Sequence, residues 1–235
     1  MNNIPPSTEQ SEHTPTINHP FILRLLSQLL SLLFHPIFIF PYIYIILAWI
    51  NPQLFGKTTL EMVLQGDNLF LFLRIIFTMV IIPILAVFMM RGLNMISSIS
   101  MPDRQERIGP YIAVGLSFII SFVQVNNLAI IPALVKVFIL GSTLALFTSF
   151  LFNLFVKVSL HTVGMGGMLS MTFMSLLSVH ILHESQLYIL PLVALMAGLV
   201  GTARLLLKAH ETREIYMGYY IGFLAQFVAL FILGF

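Results

Sequence analysis

The sequence contains no cysteine and very little charge. The absence of cysteine among 235 residues excludes disulfide bonds, thiolate-ligated zinc and cysteine nucleophiles. Charged residues make up 9% of the chain, whereas a soluble domain typically carries about 25%. The net charge of +2 is small and the basic residues are dispersed, so we expect no nucleic-acid partner. These scarcities exclude an ordinary soluble domain and favour a protein of the membrane.

Long apolar segments fill most of the chain. Hydrophobic residues account for 58% of it, and the mean hydropathy is +0.98. Because each span needs about 20 residues, the sequence predicts an all-α, polytopic transmembrane helical bundle of about six to seven spans. The predicted spans are residues 37–50, 69–90, 111–125, 130–156, 162–182, 187–203 and 216–235. The apolar residues 21–34 are too few for a span and predict an interfacial amphipathic helix.

The domain organisation follows from the same pattern. Residues 1–20 are polar and rich in Pro, Ser, Thr and Asn, which predicts a disordered tail. Residues 21–235 predict a single integral membrane domain, surrounded by membrane lipids. We expect a multi-pass protein of a bacterial inner (cytoplasmic) membrane. The distribution of Lys and Arg does not decide its orientation, because several of these residues are candidate ligands. The sequence leaves the oligomeric state open.

Polar residues suited to catalysis or ligand binding are concentrated in alternate connections between the predicted spans. With seven spans, the second, fourth and sixth connections lie on one side of the membrane. These connections and their flanks carry the candidate site residues: Arg104, Arg107, Lys157, Ser159, His161, Arg204, His210 and Glu214. The other connections hold far fewer such residues. Since polar side chains are costly at a bilayer, their convergence predicts a functional site on that side.

The residue types at this site suit phosphate chemistry. Arginine offers planar, bidentate donors and stays charged at any working pH. One histidine could attack phosphorus while a second protonates the leaving oxygen. A carboxylate beside the first would hold its tautomer. The arginines already supply the positive charge that a metal would provide, so we expect neither a metal nor a cofactor.

At this point the motifs resemble those of a known family. The R-x5-H-x3-E motif that begins at Arg204 resembles the signature S-R-x5-H-x3-D of the type 2 phosphatidic acid phosphatase (lipid phosphate phosphatase, haloperoxidase-like) superfamily. The S-L-H sequence at residues 159–161 is similar to a second signature, P-S-G-H. The remaining signature, K-x6-R-P, is matched loosely by Arg104 and Arg107. The resemblance implies a phosphatase-like core at about residues 101–235.

The resemblance assigns a role to each matching position. His210 would be the nucleophile that forms a phosphohistidine, Glu214 would orient it, and His161 would be the general acid. The remaining candidates would bind the phosphoryl group: Arg204, Arg107, Arg104, Ser159 and Lys157. The substrate would be a lipid phosphate or diphosphate, which makes the protein a metal-independent hydrolase with no cofactor.

The sequence also departs from the family pattern. Val158 and Leu160 replace the Pro and Gly of the second signature, Ala203 replaces the Ser of the third, and Glu214 replaces Asp. Two functions therefore stay open: the lipid phosphatase, and a catalytically inactive member of the same fold that binds or transports an anionic lipid. A secondary transporter is less favoured, because we find no internal repeat. The sequence does not choose among phosphatidate, phosphatidylglycerol phosphate, polyprenyl diphosphates and lipid-anchored sugar phosphates.

Overall fold

The computed structural model describes residues 20–98, 105–179 and 183–235. This described part of the chain is helical and contains no β-strand. Six helices are long and apolar enough to cross a membrane, and a bent pair at the N-terminal end makes seven if it counts as one span. The predicted all-α, multi-pass membrane bundle is therefore confirmed. The expected tail, residues 1–19, and the candidate ligand Arg104 lie outside the described residues.

The helices are numbered in chain order. They are α1 (Phe21–Leu33), α2 (Ile39–Ile50), α3 (Leu60–Val63), α4 (Gly66–Ile76), α5 (Ile82–Gly92), α6 (Ile108–Asn126), α7 (Ala133–Asn153), α8 (Leu160–Leu177), α9 (Glu184–Leu187), α10 (Ile189–Leu206) and α11 (Thr212–Leu233). Short 3-10 turns cover Pro36–Phe38, Pro52–Phe55 and Gln105–Arg107. Five of these helices (α6, α7, α8, α10 and α11) are the predicted third to seventh spans, with ends shifted by a few residues.

The second predicted span is one long segment with an irregular middle. It runs over Gly66–Gly92 and joins α4 to α5 through a π-helical turn at Phe77–Ile81. Pro83 follows this turn and has no N–H to donate to the preceding turn of helix. A π-turn beside a proline is a common way to accommodate that loss.

The N-terminal helix is part of the bundle. The sequence predicted an interfacial helix at residues 21–34, separate from the spans. In the structure α1 packs against α10, and it joins α2 at an angle of 44°. Ser27 and Ser31 are its buried residues. Small side chains one turn apart let membrane helices approach closely.

Two helices form the tightest contact of the bundle, and it carries the site. Helices α8 and α11 pack together through glycines. A side chain at Gly222 would overlap the carbonyl oxygen of Val163, and one at Gly166 would overlap that of Tyr219. Such direct backbone contact fixes the N-terminal ends of both helices relative to each other. Those ends hold the second and third predicted signatures.

The connections that the sequence placed on one side meet at one end of the bundle. The Lys157 ammonium donates a hydrogen bond of 2.7 Å to the carbonyl oxygen of Ala209, which links the α7–α8 connection to the α10–α11 connection. At the start of α6, the ring of Tyr111 packs on that of Phe150 near the end of α7, with centroids 5.3 Å apart. The predicted convergence of the three connections agrees with these contacts.

Candidate functional site

A histidine and a carboxylate form a close pair where α11 begins. His210 Nδ1 lies 2.8 Å from Glu214 Oε2, and 9% of each side-chain surface is exposed. A carboxylate oxygen can only accept, so Nδ1–H donates and the lone pair of the neutral ring lies on Nε2. The contact fixes both the tautomer and the direction of the imidazole. This geometry is what the proposed nucleophile requires.

The chain between α10 and α11 folds so that this pair forms. Lys208 adopts a left-handed conformation with φ of 51°, which turns the backbone sharply after α10. Glu211 then caps α11, and its side chain accepts from the backbone N–H of Glu214. In return Glu214 Oε2 accepts a hydrogen bond of 3.2 Å from the Glu211 backbone N–H. This reciprocal capping box anchors the carboxylate that holds His210.

The surroundings of His210 favour its neutral form. Burial lowers the pKa of His210 below 6.5, and the charges of Lys157 and Arg204 lower it further, against the opposing effect of the Glu214 hydrogen bond. At pH 7 the imidazole is therefore neutral, and Nε2 keeps the lone pair that a nucleophile needs.

We expect His210 to resist protonation as the pH falls through 6.5. In the unfolded chain this histidine takes up a proton near that pH, so stability should decline from about pH 6.5 toward the lower folded pKa. Histidine-selective NMR in detergent, with His210→Ala to assign the signal, measures this. In Lys157→Met the pKa of His210 should rise because a cation is removed. A wild-type pKa above 6.5 would contradict the prediction.

The third-signature arginine has unused donor capacity. Arg204 lies at the end of α10 and is half-buried, and its Nε atom is buried with no hydrogen-bond partner among the described residues. Its charge acts on His161 and His210. A buried donor without a partner needs an explanation, and a bound anion or water is a common one. Arg204 therefore has the position and the free donor expected of a phosphate ligand.

The predicted general acid lies close to this cluster but is already engaged. His161 is the second residue of α8, and its Nε2 lies 3.0 Å from the carbonyl oxygen of Ser31. Because a carbonyl only accepts, Nε2–H donates to it. His210 and Arg204 both interact electrostatically with His161. The structure thus brings His161 to the predicted cluster, while its Nε2 proton is held by α1.

The other predicted phosphate ligands differ in how well they fit. Ser159 has an exposed fraction of 0%, and its hydroxyl has no partner in the described structure, so a ligand must penetrate to reach it. The Lys157 ammonium donates one hydrogen bond to the Ala209 carbonyl oxygen and has two further N–H donors. The charge of Arg107 acts on Tyr111 at the same end of the bundle. Arg104 lies outside the described residues.

The replacements in the second signature do not fill the site. Leu160 packs with Val158 and Val163 against Ala145 and Ala225, on the side of α8 that faces α7 and α11. The apolar side chains at positions 158 and 160 therefore add to the helix packing.

Sequence reasoning missed two residues of this cluster. They are His35 and Ser31, which belong to no signature of the sequence. In the structure the rings of His35 and His161 meet edge to face, with centroids 5.3 Å apart. No motif of the sequence pointed to them, because they lie about 130 residues from His161 and meet it only through the packing of α1 and α2.

The described part of the chain holds no group of three His, Asp or Glu side chains arranged for a metal.

The chain was also compared with known proteins. It matches no protein-family model, no curated protein and no solved structure. The functional argument therefore depends on the residues of this chain and on their geometry.

Proposed function

We propose that this protein is a metal-independent phosphatase that hydrolyses a lipid phosphate or diphosphate through a phosphohistidine intermediate. The observation that supports it best is the 2.8 Å contact between His210 Nδ1 and Glu214 Oε2, with the unpartnered Arg204 Nε in the same cluster. This assignment makes the chain a divergent member of the type 2 phosphatidic acid phosphatase superfamily. We place it in a bacterial inner membrane, where its substrate would be a membrane lipid.

The reaction has two steps. The Nε2 lone pair of His210 forms an N–P bond while the P–O bond to the lipid alcohol breaks, and the leaving oxygen takes a proton from the His161 imidazolium, which becomes a neutral imidazole. Water then attacks phosphorus and gives a proton back to His161, and the N–P bond breaks to release phosphate. The leaving oxygen must replace the Ser31 carbonyl as the acceptor of the His161 proton. Arg204 neutralises the charge of the phosphoryl group in both steps.

An apolar bundle with its polar site at one end suits this substrate class. The tail of a lipid phosphate stays among hydrocarbon, whereas its phosphate reaches cationic groups where the helices end. Helices α10 and α11 flank the His210 connection, and they expose apolar side chains such as Leu195, Leu199 and Leu224 along their length. These features favour a lipid over a water-soluble phosphate ester.

A non-catalytic anion-binding protein is the second candidate. It is favoured by the hydrogen bond that engages His161 and by the complete burial of the Ser159 hydroxyl. In that case Arg204 and the histidines would hold a lipid headgroup without transferring its phosphoryl group. The two candidates share a site and differ in turnover.

Phosphate release by the purified protein tests the proposal. The assay uses detergent micelles and a panel of phosphatidate, phosphatidylglycerol phosphate and a polyprenyl diphosphate, with and without EDTA. We expect release from at least one lipid at a rate that EDTA does not change. No release from any of them by folded protein would refute the phosphatase. Binding of the same lipids without release would establish the second candidate.

A further inference from the structure

The break between α1 and α2 places a third imidazole beside the site. Pro36 favours extended backbone at the residue before it, and His35 has φ of −62° and ψ of 137° there. Its Nδ1 accepts a hydrogen bond of 3.4 Å from the backbone N–H of Ile37. This contact favours the neutral tautomer with its proton on Nε2. The His35 side chain is therefore an oriented donor.

The neighbours of His35 form a cluster suited to an anion. One side of its ring packs on His161, and the charge of Arg204 acts on both rings. In the described structure the charge of Arg204 acts on both imidazoles, and His210 acts on His161. Arg204 is a cation, and His210 becomes one when it is protonated. The nearby carboxylate of Glu214 is committed to His210. Arg204 carries a positive charge and the neighbouring imidazoles offer N–H donors, so these groups can share a bound anion.

Unused hydrogen-bonding groups in the same region support this reading. The hydroxyls of Ser31 and Ser159 are buried without a partner in the described structure, as is Arg204 Nε. Most helical threonines, such as Thr143, Thr172 and Thr202, donate to a carbonyl one turn earlier, whereas Ser31 does not. Buried serines without partners also occur inside the spans, at Ser121, Ser149, Ser170 and Ser175. Ser31 differs from these because its own carbonyl contacts His161.

We propose that His35 is a third histidine of the site and that its Nε2–H donates a hydrogen bond to a phosphoryl oxygen held beside His161 and Arg204. His161 Nε2 is engaged by Ser31, whereas His35 is exposed, so His35 offers the accessible imidazole N–H of this pair. In this arrangement the start of α8, the end of α10 and the α10–α11 connection supply one part of the anion site. The junction between α1 and α2 supplies the rest. The lipid nature of the phosphate rests on the proposed function, but the anion site at His35 does not.

His35→Phe tests the proposal, because it keeps an aromatic ring against His161 and removes the donor. Losing one charge-assisted hydrogen bond should lower kcat/KM for lipid phosphate by about 10- to 100-fold. His35→Gln retains an N–H donor and should recover part of that loss. His183→Phe makes the same chemical change at an exposed position before α9, so its activity should match that of wild type.

A second measurement keeps the test independent of catalysis. Inorganic phosphate should raise the melting temperature of the wild-type protein in detergent more than chloride does at equal ionic strength. His35→Phe should lose most of this difference and His183→Phe should keep it. The proposal would be overturned if His35→Phe were stabilised by phosphate and released phosphate to the same extent as the wild-type protein. It would also be overturned if the wild-type protein bound no phosphate. Phosphate binding that depends on His35 without any release would support His35 and refute the phosphatase.

Discussion

Replacing His210 with alanine should abolish phosphate release while leaving the protein folded. The variant removes the Nε2 lone pair that forms the N–P bond, and no second imidazole near it has a carboxylate partner in the described structure. Loss of a covalent nucleophile typically costs about 10⁴- to 10⁶-fold in kcat. The measurement is release from the best lipid of the panel, together with thermal melting of both proteins. His210 has 9% of its side chain exposed, so the melting temperature must be compared directly.

Two further variants make this result specific. Glu214→Gln keeps the shape of the partner but removes its charge, and we expect a loss of roughly 10²- to 10⁴-fold because the imidazole is no longer held in one tautomer. Arg213→Ala removes an exposed ion pair with Glu211 on the same helical turn, and its activity should stay near that of wild type. Full activity of folded His210→Ala would disprove the phosphohistidine mechanism.

The intermediate offers a direct check of the same prediction. Wild-type protein mixed with a lipid carrying radiolabelled phosphate and then denatured in base should retain label on histidine, since an N–P bond resists base and breaks in acid. His210→Ala should retain none. Label that persists in His210→Ala would assign the nucleophile to another residue.

Replacing Gly222 with alanine should destabilise the bundle by about 2 kcal/mol or more. Its added methyl would overlap the backbone carbonyl of Val163 and come within 2.9 Å of the Gly167 nitrogen, and backbone atoms cannot rotate away as side chains do. Helices α8 and α11 would have to separate, and they carry His161 and Glu214. The activity should therefore fall together with the stability.

Gly198→Ala is the matched control for this prediction. Gly198 also lies inside a membrane helix, α10, but a methyl group there meets no atom within 4 Å. Since alanine favours helix over glycine by about 1 kcal/mol, this variant should be as stable as wild type or slightly more so. Unfolding in a detergent series measures both variants. Equal stability of Gly222→Ala and wild type would mean that α8 and α11 do not need this close contact.

The sequence predicted the class and most spans correctly, because a bilayer imposes a simple rule. A segment must be apolar over about 20 residues to cross it, whatever its neighbours are. That rule located α6, α7, α8, α10 and α11 within a few residues. It does not decide the place of α1, whose 13 residues are too short to qualify alone, and whose position depends on a bend and on contact with α10.

The site was predictable where its residues lie close together in the chain. His210 and Glu214 are four positions apart, so a helical turn and a capping box bring them into contact almost locally. Arg204 and His161 were placed near them by counting spans. Their roles as nucleophile, acid and phosphate ligand remain predictions. Arg104 and Arg107 show the limit of this approach, since the connection before α6 has no periodic pattern that fixes where their side chains point.

The sequence by itself determined that this chain is a membrane bundle with its polar candidate residues near one end. The lengths of the apolar segments follow from the chain alone, and so does the rule that alternate connections lie on the same side of the membrane. The tertiary structure decided which side chains meet there. The glycine contacts of α8 and α11 place His161 near the pair of His210 and Glu214, and the bend at Pro36 places His35 against His161. The distances between helices depend on the shapes of both packed surfaces, and no single segment of sequence contains that information.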